Sequence, residues 1–226
     1  MIDDISGASQ DYLKAIYRLS ARNGRATTSQ LAQRLNVKPA SVTNMLRKMA
    51  TDDPPLVDYK KHQGATLTDA GQMAALEVLR HHRLLEQFLH EILGFRWDEV
   101  HDEAERMEHC ISERMEERIS ALLGDPQFNP HGAPIPDCDL NVFSNDWLAM
   151  STLRGGETAV IRRVRDEDNE MLRYLDKIGL RLNTRFTVTD YIPFDSNLHL
   201  QIDGQSQPTV VGTQISDNVS VEIITK

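Results

Sequence analysis

Residues 27–50 read TTSQLAQRLNVKPASVTNMLRKMA, and the spacing within them decides the fold of the N-terminal third. Thr27, Thr28 and Ser29 offer a hydroxyl cap, after which Leu31, Ala32 and Leu35 recur at helical spacing. Asn36-Val37-Lys38 is a turn, and Pro39 suits the first turn of a helix over Pro39–Met49 with Val42, Leu46 and Met49 inward. Upstream, Leu13, Ile16, Tyr17 and Leu19 predict a helix over Ala8–Ser20, broken at Asn23-Gly24. Downstream, Asp52-Asp53-Pro54-Pro55 stops the third helix. Leu56–Tyr59 and Ala65–Leu67 then alternate like short strands around the basic tip Lys60-Lys61-His62-Gln63-Gly64. Helix, helix, turn, helix and hairpin is the order of a winged helix-turn-helix.

Charge agrees with that order. The chain has a net charge of −9, yet residues 1–64 carry ten Lys and Arg against six Asp and Glu. A basic head on an acidic body is the asymmetry expected when one end meets phosphate. The third helix leaves Lys38, Ala40, Ser41, Thr43, Asn44 and Arg47 off its inward face. Small side chains there allow close approach to base edges, and Asn44 can pair with adenine. Thr27 and Pro39, at the starts of the second and third helices, are counted with this face. Arg25, Lys48, Lys60 and Lys61 are expected on phosphates. Helix-turn-helix units also dock proteins, but the basic wing favours double-stranded DNA.

Beyond the head, Thr68 caps a helix over Asp69–Leu93 that Gly94 stops, and a second helix spans Trp97–Leu123 up to Gly124. Asp125–Asp139 is a Pro-rich loop, and a short helix is expected around Asn145–Thr152. Ala159–Val164, Thr184–Val188, Leu198–Ile202 and Val219–Ile224 read as strands and Glu167–Ile178 as a helix, which predicts a small β-barrel-like domain. The expected fold is mainly α with a small β domain. Its domains are 1–70, 71–150 (with a loop at 124–140) and 151–226.

The body carries the chemistry. On a helix, His101, Glu105, Glu108 and His109 fall within roughly a quarter of the circumference. They lie beside a core arc of Val100, Ala104, Met107, Ile111, Met115 and Ile119. His82 and Glu86 are four residues apart on the preceding helix. Such pairs are commonly solvated stripes; two helices carrying them beside core faces favour a nitrogen/oxygen metal site. Cys110, next to His109, reads as a buried small residue over a ligand. Only Cys110 and Cys138 occur, in no C-x-x-C, which disfavours a zinc-thiolate site and suits a reduced cytoplasm. No apolar run nears the ~20 residues that span a bilayer, and polar Met1–Asp11 is unlike a signal peptide. No H-E-x-x-H, nucleophile elbow or phosphate loop points to an enzyme. A metallohydrolase and a repressor sensing an organic ligand are the rival classes; no small organic substrate is expected.

Asp11-Tyr12-Leu13, Val37–Thr43, His82-Arg83-Leu84-Leu85-Glu86, Val100–Ala104 and Glu108-His109 together resemble the diphtheria-toxin-repressor family of metal-dependent transcriptional regulators. The likeness is to its three-domain form, whose last domain is SH3-like (FeoA-type). The resemblance implies a homodimer on a palindromic operator, repressing metal-uptake genes. It implies a primary metal site of Asp11, Glu105, Glu108 and His109, with His82 shared. An ancillary site would use His82, Glu86 and His101, completed by Glu167 and Glu170. The iron-responsive branch has thioether and thiol side chains where this chain has Asp11 and Glu105, whereas the manganese-sensing branch resembles this chain. Mn²⁺ is therefore the favoured cofactor and Fe²⁺ the alternative, with Co²⁺, Zn²⁺ or Cd²⁺ able to substitute in vitro. Two-domain manganese sensors carry an acidic residue where this chain has Lys14, so a separate second site fits better than a coupled two-metal centre. A metal joining Asp11 to Glu105, Glu108 and His109 would lock the head on the body, and histidine ligation implies a response that weakens below about pH 6.5.

Overall fold

The Ser6 hydroxyl accepts from the Ser9 N–H and starts α1 (Gly7–Asn23), which Gly24 ends with φ at 74°. A reciprocal capping box between Thr27 and Gln30 opens α2 (Thr28–Arg34). Asn36, at φ 51°, turns the chain into α3 (Pro39–Thr51), which has its proline in the first turn. β1 (Val57–Lys60) and β2 (Gly64–Leu67) pair antiparallel, with Lys60 opposite Gly64. Leu13, Ile16, Leu31, Val42, Leu46, Met49 and Ala65 are fully buried in one cluster. The winged helix-turn-helix is built on the apolar spacing of the sequence. α4 (Asp69–Glu91) starts hard against it: a Cβ on Gly71 would collide with the Leu56 carbonyl oxygen at 1.9 Å.

The helix expected over Trp97–Leu123 is two helices, α5 (Val100–Met107) and α6 (Glu113–Leu122). Apolar periodicity runs through the break, so a helical wheel cannot see it. Two local bonds make it. The Cys110 N–H closes a tight turn on the Met107 carbonyl, and the Ser112 hydroxyl caps α6 by accepting from the Met115 N–H. Glu108 and His109 therefore stand in a turn rather than on a helix face. Cys110 is carried out to solvent by the same turn, and the expectation that it is buried is corrected.

This computed structural model describes residues 5–165 and 168–225. Two compact units emerge. The first holds the head up to Leu84, Glu105–Gly124 and Pro136–Val142; the second holds Leu85–Ala104, Asp125–Ile135 and the chain from Phe143. In the second unit, β3 (Leu148–Ala149), β4 (Thr158–Val164), β5 (Arg185–Ile192), β6 (Asn197–Ile202), β7 (Thr209–Val211) and β8 (Val219–Thr225) form one antiparallel sheet, ordered β3-β8-β4-β5-β6-β7. α7 (Asn169–Ile178) buries Leu172 and Leu175 in the core with Ile161, Phe186 and Leu200, and α8 (Thr213–Ser216) precedes the last strand. The short helix expected around Asn145–Thr152 is instead β3 and a single 3-10 turn, because Leu148 and Ala149 pair with Val221 and Ser220. α7 starts at Asn169 rather than Glu167: the Asp168 carboxylate caps it by accepting from the Glu170 and Met171 N–H groups. Glu167 lies outside the described residues. Among the described residues no helix is long and apolar enough to cross a membrane.

Candidate metal centre

α1 buries Tyr12, Leu13 and Ile16 in the head core, which makes Asp11 and Lys14 rigid extensions of the head. Within the first unit the turn between α5 and α6 meets them. His109 Nε2 lies 3.0 Å from Asp11 Oδ1 and 3.4 Å from Glu108 Oε1, and its Nδ1 lies 2.6 Å from Gln10 Oε1. Gly7 leaves room for that ring, since a Cβ there would stand 3.3 Å from His109 Cγ. The Glu108 side chain is fully buried and central: Oε2 is 2.6 Å from His82 Nδ1, while Oε1 contacts Lys14 Nζ. Lys14 Nζ also reaches Glu105 Oε1 at 2.6 Å. Donor atoms of Asp11, Glu108 and His109 lie within 4.8 Å of one another, as do those of His82, Glu105 and Glu108.

Three carboxylates and two imidazoles form a hard-oxygen and borderline-nitrogen set of the kind that holds Mn²⁺ or Fe²⁺. The structure offers its own test of that fit. The Lys14 ammonium sits on Glu105 and Glu108, so the donor set already gathers a cation. Sequence spacing gave no sign of this pairing, because α2, α3, the whole wing and α4 separate Lys14 from Glu105 and Glu108. His109 titrates above its ordinary 6.5. The hydrogen bond with Asp11 is the largest cause, opposed by burial and reinforced by the charge of Glu108.

The second unit holds another cluster. Glu86 is fully buried; its Oε1 lies 3.2 Å from His101 Nδ1 and 3.8 Å from His131 Nδ1, and its Oε2 accepts from Asn129 Nδ2 at 2.5 Å. His131 is the residue that sequence reasoning missed. It stands in a loop without periodicity, and its only signal is a histidine in the polar turn Asn129-Pro130-His131-Gly132. Structure makes that loop rigid. Asn129 Oδ1 accepts from the N–H groups of His131 and Ala133, the His131 carbonyl accepts from Val164 N–H, and Gly132 (φ 77°) passes the Arg162 carbonyl where a Cβ could not. Asn169 Nδ2 donates to Asp102 Oδ2 at 2.8 Å, which ties the start of α7 beside His101. Glu170, however, is exposed and joins none of the candidate ligand groups among the described residues, because it occupies the capped first turn of α7.

On the head, Lys38, Pro39, Ala40, Ser41, Asn44, Arg47 and Lys48 are exposed and Thr43 is half-buried. Thr28, Ser29, Thr43, Arg47, Lys61 and His62 line one concave surface with the wing. Lys60 and Lys61 are exposed at the wing tip. Two expected contact residues act differently. The Arg25 guanidinium bonds the Asp58 backbone oxygen at 2.7 Å and its carboxylate at 3.1 Å, so it braces the wing instead of being free for phosphate. The Thr27 hydroxyl is engaged with Gln30 in the cap of α2.

Comparison with known proteins gives three successive matches along the chain. Residues 4–65 match the iron-dependent repressor N-terminal DNA-binding domain, residues 68–137 the iron-dependent repressor metal-binding and dimerisation domain, and residues 148–223 the FeoA domain. The iron-dependent repressor IdeR of Mycobacterium tuberculosis (strain ATCC 25618 / H37Rv) is 33% identical over 199 residues, covering 83% of this chain and 86% of that protein. A solved manganese-dependent transcriptional repressor in complex with manganese is 40% identical with a TM-score of 0.87, over 94% of this chain and 98% of that one. The structure of ScaR with bound Zn²⁺ is 31% identical with a TM-score of 0.80, over 95% and 98%.

Proposed function

The chain belongs to the iron-dependent repressor family of metal-dependent, DNA-binding transcriptional regulators, and on that premise we propose that it is a Mn²⁺-responsive repressor that grips a palindromic operator as a homodimer. The domains would be 1–70, 71–150 and 151–226, and the regulated genes those of metal uptake. The observation that carries the reading is the meeting of Asp11 and Lys14, from the head helix α1, with Glu105, Glu108 and His109. Asp11, Glu105, Glu108 and His109, with His82 at the rear, would hold the metal. Glu86, His101 and His131 would form the second site, with Glu167 and Glu170 as candidates to complete it. A divalent cation bound at the first set supplies positive charge shared between the head and the α5–α6 turn.

The protein's own groups do the rest. Asp11 and Glu108 face one another across His109, so their charges resist closure unless a cation lies between them. Gln10 holds His109 Nδ1, which leaves Nε2 turned toward Asp11. Because Asp11 is rigid with the head core, fixing Asp11 fixes the orientation of α3 and the wing. Two heads fixed in a symmetric dimer present their third helices to two half-sites. Exposed Met115 and Leu122 on α6 give that dimer apolar surface. Two carboxylates from Asp11 and Glu105 support Mn²⁺ over softer-donor iron sites, in line with the likeness to the manganese-bound repressor.

The test is metal-by-metal binding to duplexes selected from a random library, at buffered free metal. Mn²⁺ is expected to tighten binding at least about a hundredfold, the upper part of the usual allosteric range. Equal binding after exhaustive chelation rejects the reading.

Protons oppose the metal. His109 carries a raised pKa, so in the metal-free chain its ion pair with Asp11 contributes stability that is full below about 6.5 and fades as pH rises through the raised value. Ligation needs the neutral ring. Mn²⁺ affinity is therefore expected to fall up to about tenfold per pH unit, beginning above the pH 6.5 that an unshifted histidine suggests. A Mn²⁺ titration that stays flat from about pH 8 to about pH 6 contradicts it.

A further inference from the structure

A second set of donors lies in the first unit, outside the clusters described above. His81 follows His82 on α4, and Glu77 precedes His81 by one helical turn. Across from them, α6 presents Glu113 and Glu116, three residues apart. His81 Nε2 lies 3.0 Å from Glu116 Oε2 and 3.5 Å from Glu113 Oε1, and one donor atom from each of the three lies within 4.8 Å of the others. We propose that Glu77, His81, Glu113 and Glu116 form a further divalent-cation site that pins α6 to α4.

Four observations support it. The His81 side chain is only 2% exposed, yet Nε2 makes a well-aligned hydrogen bond to neither carboxylate. Oxygens of two different carboxylates converge on that one ring nitrogen, at 3.0 and 3.5 Å. Its other nitrogen, Nδ1, faces the Glu108 backbone oxygen at 3.3 Å, which directs Nε2 toward the carboxylates. Burial, then the hydrogen bond and charge of Glu113, push the Glu77 carboxyl up to about 7, so this pair holds a proton that a cation could replace.

Glu116 is already oriented as an anchored ligand would be. Its Oε1 is held by Arg80 Nε, and Arg80 is fixed in turn by the Pro136 carbonyl and the Ser120 hydroxyl. That leaves Oε2 for the cluster. Arg80 offsets the charge of Glu116, and a divalent cation among Glu77, His81 and Glu113 would take the place of the protons that hold these groups together. The donor chemistry, imidazole with carboxylates, suits Mn²⁺ or Zn²⁺. The site sits back to back with the first cluster: His81 and His82 are neighbours, and His81 is held by the backbone of Glu108. A cation there would brace the turn that carries Glu108 and His109.

Glu113→Gln is the informative variant, because its side chain is half-exposed and carries no core packing. Bound equivalents of Mn²⁺ and of Zn²⁺ are counted by equilibrium dialysis on the full chain, in the Asp11→Ala background that disables the first cluster. Glu113→Gln and Glu77→Gln are each expected to remove one equivalent or to weaken it at least tenfold, and to lower metal-induced hydrogen-exchange protection in α6. An unchanged count and affinity for both metals in both variants overturns the proposal. Because the readout is metal count and α6 protection, it stands or falls apart from the operator-binding test.

Discussion

Glu108→Ala is expected to abolish metal-dependent operator binding and to destabilise the metal-free chain by about 3–5 kcal/mol, the usual cost of removing one partner from a buried charge pair. Glu108 belongs to both donor groups of the first cluster, and its fully buried carboxylate meets Lys14, His82 and His109 at once. Truncation leaves the Lys14 ammonium, itself 6% exposed, with Glu105 alone. Because that variant can fail simply by unfolding, Asp11→Ala separates the two effects. The Asp11 side chain is 40% exposed and contributes no packing, so at a pH above the raised pKa of His109, where their ion pair no longer adds stability, its loss is expected to leave thermal unfolding nearly unchanged. The free Mn²⁺ needed for half-maximal operator binding should nonetheless rise at least about a hundredfold, as for loss of a metal ligand or its closest support. A folded Asp11→Ala protein with a normal Mn²⁺ response would remove α1 from the metal-sensing account.

The head was legible in the sequence because each of its elements is written locally. Thr27 with Gln30, Pro39, and the Val42-Leu46-Met49 stripe are short-range patterns with short-range causes. The break at Met107–Ser112 was not legible, because the core periodicity of Val100, Ala104 and Ile119 continues across it while the interruption rests on two local bonds, the Cys110 turn on Met107 and the Ser112 cap. That break matters, since it frees Glu108 and His109 from helical geometry and lets them face both α1 and His82. His131 was invisible for the opposite reason: its loop has no period, and its placement beside Glu86 comes from Asn129 and Gly132, whose partners are far along the chain. β7, only three residues long, is defined by pairing with β6 rather than by any pattern of its own. What sequence reading cannot supply is long-range charge pairing, and Lys14 is the consequential case.

Lys14→Met is expected to tighten Mn²⁺ binding about tenfold or more while lowering the stability of the metal-free protein. The ammonium contacts Glu105 and Glu108, so it neutralises charges that would otherwise repel across a buried space. Without it the metal-free chain keeps the buried Glu108 carboxylate beside Glu105 with the ammonium gone, which is costly, whereas the metal-loaded chain no longer has to displace a tethered cation. Free energy removed only from the metal-free state reappears as affinity, at about 1.4 kcal/mol per tenfold. The methionine stem fills most of the space of the lysine stem, so packing alone predicts little change. The rival expectation is that Lys14 orients Glu105 and Glu108 for the metal and remains beside them; then Lys14→Met would weaken Mn²⁺ binding and leave metal-free unfolding almost unaffected. Competition of the protein with a calibrated chelator for Mn²⁺, beside thermal unfolding of the metal-free protein, distinguishes the two by sign. Tighter binding together with earlier unfolding marks Lys14 as an intramolecular competitor of the metal, one that would set the free-metal threshold at which the head is fixed.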